Sequence, residues 1–161
     1  MTTNDRELVL TRLIDVPRAK LWRCWTEPEL LKQWFTPPPF TVSHAEMDVR
    51  PGGKSLVIMR GPDGKEMSNP GVYLEVVKNE KLVATDAYTA DWMPSQKPFM
   101  TAIITFEDVG GQGSGQAGGS TRYTARARHW SFEDCQAHEK MGFHTGWGIA
   151  TDQLAALAKK L

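Results

Sequence analysis

The sequence lacks the features that mark a membrane-embedded, secreted or nucleic-acid-binding chain. None of its apolar stretches approaches the ~18–20 residues that are needed to span a bilayer. Its 19 Lys and Arg balance 19 Asp and Glu, so no net charge attracts nucleic acid or an anionic membrane. The N-terminus is polar where a signal peptide would be basic and then apolar. We therefore expect a cytoplasmic protein with no nucleic-acid partner and no membrane insertion.

Cysteine is scarce, and the motifs of nucleophilic or metal catalysis are missing or incomplete. Cys24 and Cys135 lie far apart and have no metal-type spacing, so we expect reduced thiols, with one buried disulfide as the alternative. No G-x-S-x-G elbow occurs. His138-Glu139 begins an H-E-x-x-H pattern, but Gly142 stands where its second histidine would be. We expect no metal and no cofactor, and we favour a non-enzyme over an enzyme.

A glycine-rich tract within 110–119 contains a match to the dinucleotide-binding pattern G-x-G-x-x-G, at 113–118. That pattern needs a strand before it and a helix after it, so that the pyrophosphate meets a helix N-terminus. Here the sequence that follows has the alternation of a strand. We therefore expect a flexible hairpin connection and no nucleotide site.

The apolar periodicity predicts one strand, two short helices, a series of antiparallel strands and a long terminal helix. The predicted strands are 7–16, a strand from Phe40 to the turn at Arg50, then 54–60, 65–67, 71–77, 81–88, 99–109 and 120–130. Pro17 and Pro28 are suited to the beginnings of the two short helices. The economical packing is a curved sheet of about six to seven strands around the terminal helix, an α+β fold in a single domain, 1–161.

Three glycines interrupt the terminal helix, which we predict from a capping box at Ser131 to the chain end. Gly142, Gly146 and Gly148 each cost roughly 0.5–1 kcal/mol against alanine in a helix interior. Three such costs in one helix suggest a bend, a close approach or unfilled room.

Small residues on the predicted strand 120–130 favour an internal cavity. Ala125 and Ala127 alternate with arginines and share the core-facing side with Tyr123 and His129. Ala84 and Ala102 have similar registers on other strands. Because interiors are packed densely, this volume is either filled, for which six Trp and seven Met are available, or it forms an apolar pocket for a small molecule.

The candidate site combines large apolar side chains with two polar anchors. The predicted lining is Trp34, Phe35, Met47, Met59, Tyr88, Trp92, Phe106, Tyr123, Phe143 and Trp147. The predicted anchors are Asp86 and His129. Asp86 shares the inward register of Leu82 and Ala84, although a strand-end position that reaches solvent is the alternative.

Several stretches resemble one known family. They are 15–28 with Leu31 and Trp34-Phe35, then 46–53, 59–64 and 71–76, and finally Met141-Gly142 with Gly146-Trp147 and Leu154. Together they are similar to the C-terminal domain of the activator of the ninety-kilodalton heat-shock chaperone's ATPase, the AHSA-like family. That family lies within the START and birch-pollen-allergen-like superfamily (SRPBCC). The resemblance implies a helix-grip fold with a cavity between sheet and terminal helix. Ser55 and Ala84 stand where the family often has aromatic residues, which implies an enlarged or reshaped cavity.

Three functions remain open at this point. The first is binding of a small apolar or amphipathic molecule by a monomer or homodimer. The second is a co-chaperone-like contact with a heat-shock ATPase through the basic row Arg122, Arg126 and Arg128. The third is a cyclase- or hydrolase-type enzyme that uses Asp86 or His129 for proton transfer.

Overall fold

An antiparallel sheet of seven strands curves around the C-terminal helix. A computed structural model describes residues 3–110 and 119–161. The strands of the main sheet are β1 (Glu7–Ile14), β2 (Thr41–Met47), β3 (Lys54–Arg60), β4 (Glu66–Val77), β5 (Lys81–Thr85), β8 (Met100–Gly110) and β9 (Ser120–His129). Between β5 and β8, β6 (Tyr88–Thr89) and β7 (Met93–Pro94) form a separate small hairpin.

The strand order of the main sheet is β1-β9-β8-β5-β4-β3-β2, and all neighbours are antiparallel. Helices α1 (Arg18–Thr26) and α2 (Pro28–Leu31) follow β1, and α3 (Phe132–Lys140) and α4 (Phe143–Lys159) follow β9. Pro28 is the first residue of α2, and Pro17 directly precedes α1. This confirms the predicted α+β, helix-grip architecture.

The inner face of β9 matches its sequence pattern. Tyr123, Ala125, Ala127 and His129 are all at most 2% exposed, because alternation turns every second side chain toward α4 and the core. On the neighbouring strand, Ala102 is opposite Ala127.

The sheet departs from the predicted strand limits in two places. The segments 65–67 and 71–77 are one strand, β4, which runs through Pro70. Pro70 is tolerated because β5 pairs only with the part of β4 from Val72 onward, so Pro70 lies where β4 has a neighbour on one side. The second departure is that β5 ends at Thr85, so Asp86 follows the strand instead of belonging to it.

The terminal helix is two helices, not the single helix that was predicted. Ser131 caps α3 as expected, since its hydroxyl accepts a hydrogen bond from the Asp134 amide at 3.0 Å. The chain then turns at Gly142, whose φ of +97° is unfavourable for residues with a side chain, and α4 begins at Phe143.

Each of the three glycines in the predicted terminal helix has a different structural role. Gly142 makes the bend. A Cβ on Gly148 would lie 3.0 Å from Arg12 Nη2, so Gly148 permits a close approach. A Cβ on Gly146 would meet nothing within 4 Å, so this position borders open space.

No helix among the described residues is long and apolar enough to cross a membrane. The G-x-G-x-x-G match at 113–118 lies outside the described residues.

Candidate functional site

A cavity of about 620 Å³ lies between the inner face of the sheet and α4. Small residues on both sides leave this space. Ala84 of β5 is opposite Ala102 of β8, and both line the cavity together with Gly146 and Ala150 of α4. Ser55 of β3 lines it as well. The volume is in the range of small-molecule sites, about 300–1,000 Å³.

Seven of the ten predicted lining residues border this cavity. They are Trp34, Phe35, Met47, Met59, Tyr123, Phe143 and Trp147. They come from the segment after α2, from β2, β3 and β9, and from α4. The fold therefore brings together side chains from most of the length of the chain.

The structure does not bring the other three to the cavity. Phe106 is only 1% exposed, but it packs inside the core against Trp22, with ring centroids 5.7 Å apart. Tyr88 and Trp92 lie on the β6–β7 hairpin, where they pack on each other at 5.8 Å and remain exposed. A short hairpin outside the main sheet gives its aromatic residues no route to the core.

One border of the cavity is a group of four rings, which we call the tryptophan cluster: Trp25, Trp34, Phe35 and Tyr123. The ring centroids of Trp25 and Trp34 are 5.0 Å apart in an edge-on arrangement. The Trp34 indole donates to the Cys24 carbonyl at 3.0 Å, and the Trp25 indole donates to Tyr123 Oη at 3.1 Å. Burial raises the pKa of the Tyr123 phenol. Both indole N–H groups of this cluster are therefore used inside the protein.

A second border is the histidine cluster: Phe99, His129, His138, Phe143 and Trp147. Phe99 packs within 5.3 Å of both imidazoles, measured between centroids. Trp147 and Phe143 are 4.4 Å apart and also contact His138.

The two histidines of this cluster form a hydrogen-bonded pair. His129 Nε2 lies 2.8 Å from His138 Nδ1, and His129 Nδ1 lies 2.9 Å from the Arg6 carbonyl oxygen. His138 borders the cavity, whereas the predicted anchor His129 lies behind it. Burial, with a smaller contribution from His129, lowers the pKa of His138 to about 4. A neutral imidazole therefore faces the cavity at neutral pH.

Asp86 borders the cavity, but its carboxylate is engaged by the backbone. It accepts hydrogen bonds from the amides of Phe99 at 2.9 Å and Met100 at 3.2 Å. Burial raises the pKa of Asp86, against the opposing effect of these amides. The side chain thus holds the beginning of β8 in place, which is a structural task.

Asp86 is the one ionisable carboxylate in the lining, and no lysine or arginine is present among the described residues of that lining. The walls are otherwise apolar or carry neutral hydroxyl, amide and imidazole groups. Such walls suit an uncharged ligand, because a buried charge without a partner is costly.

Sequence reasoning missed His138, Trp25 and Tyr73 as lining residues. Trp25 had a usable signal, since it lies on the apolar face of α1, where it packs against the core. His138 had none, because its contact with His129 depends on how α3 packs across the end of β9. Burial also raises the pKa of Tyr73.

Neither cysteine has the surroundings of a reactive thiol. Both are buried free thiols, so the alternative of a disulfide is not realised. Burial raises the pKa of Cys24 to about 11 and also raises the pKa of Cys135. Within the described ranges, no cluster of three or more His, Cys, Asp or Glu side chains could hold a metal ion.

Comparison with known proteins identifies the family. The model of the family described as "Activator of Hsp90 ATPase homolog 1-like protein" matches residues 15–159. The chain belongs to this family. The family lies within the SRPBCC superfamily, in agreement with the helix-grip fold. No curated protein matches the chain.

Solved structures of bacterial proteins share the fold of this family member. A crystal structure from Nitrosomonas europaea has 39% identity and a TM-score of 0.88, over 97% of this chain and 96% of that one. A Mycobacterium smegmatis structure has 26% identity and a TM-score of 0.75, over 97% and 92% of the two chains. A Rhodobacter sphaeroides structure, at 15% identity and a TM-score of 0.79 over 98% and 95%, shows the fold alone.

The stretches that resemble the Hsp90-activator-like family contribute different parts of the cavity. The first, which includes Trp25, Trp34 and Phe35, supplies most of the tryptophan cluster. The last supplies the bend at Gly142 and the open position Gly146. Each of these stretches therefore contributes at least one residue to the lining of the cavity.

The basic row that was considered as a chaperone contact is largely paired. Arg122 forms an ion pair with Glu107 at 2.7 Å. Glu7, whose side chain is 8% exposed, lies between the other two arginines: it is hydrogen-bonded to Arg128 and 3.8 Å from Arg126. Two carboxylates thus offset most of the charge of three arginines.

Proposed function

We propose that this protein binds a small apolar or amphipathic molecule in the cavity between its sheet and α4. The observation that carries the proposal is the unfilled space of about 620 Å³ inside a lining of aromatic, methionine and alanine side chains. A fold that leaves this volume unfilled forgoes the packing contacts that side chains would make there, and this costs free energy. A ligand that fills it would recover apolar contacts at roughly 25 cal/mol per Å² of buried apolar surface.

The distribution of polar groups supports an amphipathic occupant. The tryptophan cluster uses its indole N–H groups internally, so that border offers mainly ring surfaces. The histidine cluster offers an imidazole to the cavity, and Tyr73 and Ser55 are lining residues that carry hydroxyl groups. An occupant with an apolar body and a polar substituent fits this arrangement.

A thermal-shift panel of uncharged lipids and aromatic metabolites tests the proposal on the purified full chain. A ligand present at one hundred times its dissociation constant should add about 2.7 kcal/mol of stability. At this chain length that corresponds to a rise in Tm of several degrees. The absence of a shift with every compound, together with no uptake of a neutral fluorescent probe, would contradict the proposal.

A co-chaperone-like contact is a second candidate, and the family description is the observation in its favour. The pairing of Arg122 and Arg128 with carboxylates leaves Arg126 as the arginine with the weakest ion pair. We expect salt-sensitive binding to the ninety-kilodalton heat-shock chaperone, weakened in the variant with all three arginines changed to glutamine. A titration at low salt that detects no complex would rule out this candidate.

A further inference from the structure

The hydrogen bonds of the histidine pair fix where its protons lie. The Arg6 carbonyl oxygen can only accept, so the hydrogen on His129 is at Nδ1 and its Nε2 is an acceptor. His138 Nδ1, at 2.8 Å from that Nε2, must therefore carry the donated hydrogen. In the neutral pair this leaves a lone pair on His138 Nε2.

His138 Nε2 has no hydrogen-bond partner among the described residues, yet the imidazole borders the cavity. Around it are the apolar rings of Phe99, Phe143 and Trp147. Because its pKa is lowered to about 4, His138 remains an uncharged acceptor over the physiological range. The backbone carbonyl behind His129 holds both rings in this tautomeric state.

The other residues of the cavity lining determine which ligand group can donate a hydrogen bond to this acceptor. An anionic ligand would find no lysine or arginine in the described lining and would face the Asp86 carboxylate. A cationic ligand would have to lose its hydration among apolar rings. An uncharged hydroxyl can donate to an imidazole without either cost.

The geometry points to an uncharged, hydroxyl-bearing molecule as the ligand, with its hydroxyl donating to His138 Nε2 and its apolar body against the neighbouring rings. This inference rests on the proposed function and makes it specific. His138 is then the binding residue, and His129 is a positioning residue that acts through it.

A matched pair of ligands tests the inference. The uncharged compounds 2-naphthol and 2-methoxynaphthalene differ only in that a methyl group replaces the donated hydrogen. Their affinities for the full chain are measured at pH 7 by displacement of N-phenyl-1-naphthylamine, a neutral fluorescent probe. The quantity of interest is the ratio of the two affinities in each variant.

The substitution His138→Asn isolates the acceptor. The asparagine amide can still donate to His129 Nε2 from a position near that of Nδ1, but it provides no group in place of Nε2. We expect the affinity ratio to shift by about five-fold toward the ether in this variant, as for the loss of one hydrogen bond. His44→Asn, the same change at an exposed histidine of β2 outside the lining, should keep the wild-type ratio.

The outcomes separate the two proposals. An equal affinity ratio in wild type and His138→Asn, or a lack of displacement by both compounds, would overturn the inference. Probe binding to wild type would in either case leave the proposed function intact. Failure of the probe to bind wild-type protein would overturn both. If His138→Asn does not fold, the comparison is made with His138→Leu, whose side chain carries no hydrogen-bond acceptor.

Discussion

The tryptophan cluster and the histidine cluster border the same cavity with similar rings but treat their polar atoms differently. In the tryptophan cluster, the indoles of Trp25 and Trp34 donate to a phenol and a backbone carbonyl. In the histidine cluster, His138 donates to His129 and His129 donates to the Arg6 carbonyl, which leaves on His138 an acceptor with no partner among the described residues. The first arrangement stabilises the fold, and the second leaves a group for a ligand. Aromatic content alone does not distinguish the two roles, whereas the direction of the hydrogen bonds does.

The largest expected effect compares one tryptophan from each cluster. Trp34→Ala should destabilise the protein by about 3–5 kcal/mol, because it removes a nearly buried ring and leaves the Cys24 carbonyl without its donor. Trp147→Ala should cost clearly less, since Trp147 is only half-buried. Urea denaturation of both variants measures the difference. Equal destabilisation by the two substitutions would show that the tryptophan cluster does not stabilise the fold more than the histidine cluster does.

The next effect is a pH dependence that belongs to the histidine cluster. The pKa of His138 is about 4 in the folded protein and near 6.5 when unfolded, so the unfolded chain binds the extra proton between these values. Stability should therefore fall as the pH drops from about 6.5 to about 4, by at most about 3 kcal/mol at 1.4 kcal/mol per pKa unit.

The matched variant His138→Asn removes this contribution. Asp86 works in the opposite direction, because its raised pKa makes the folded state bind a proton more readily as the pH falls. The variant retains Asp86, so subtracting its urea-denaturation profile from that of wild type isolates His138. Parallel profiles for the two proteins between pH 6.5 and pH 4 would contradict the assignment.

The smallest effects concern the glycines beside the clusters. Gly146→Ala should raise stability by up to about 1 kcal/mol, because the new methyl group enters open space within a helix. Gly142→Ala should lower stability by about 1 kcal/mol, because an L-residue is strained at φ +97°. Thermal melts of both variants check the opposite signs. Two changes of the same sign would show that the positions are equivalent.

The sequence predicted more of the fold than of the site. Alternation on β9 correctly assigned Tyr123 and His129 to the inner face, and Ser131 correctly marked a helix start, because both signals are local. The end of β5 at Thr85 and the helix break at Gly142 depend on backbone conformation. The periodicity of apolar residues does not reveal backbone conformation. The three glycines did, however, indicate a bend as one of three explanations.

The site residues show the same contrast between local sequence signals and tertiary contacts. Trp34, Phe143 and Trp147 lie at the cavity because amphipathic spacing and chain order place them on faces that meet in the core. Tyr88 was predicted at the end of the strand 81–88 and Trp92 in the loop after it, whereas β5 ends at Thr85 and a local hairpin keeps both rings outside. The contact of His138 with His129 is tertiary, joining the end of a strand to a helix surface, so residue spacing could not reveal it.

The most direct test of ligand binding is a titration of N-phenyl-1-naphthylamine into wild type and Gly146→Trp. The indole at position 146 would project into the cavity without meeting other atoms at its Cβ. Ile149→Trp, which introduces the same side chain at an exposed position of the same helix outside the cavity lining, serves as the control. We predict saturable binding by wild type and Ile149→Trp, and at least a tenfold lower affinity in Gly146→Trp with an undiminished Tm. Equal binding by all three proteins, or none by wild type, would contradict the account.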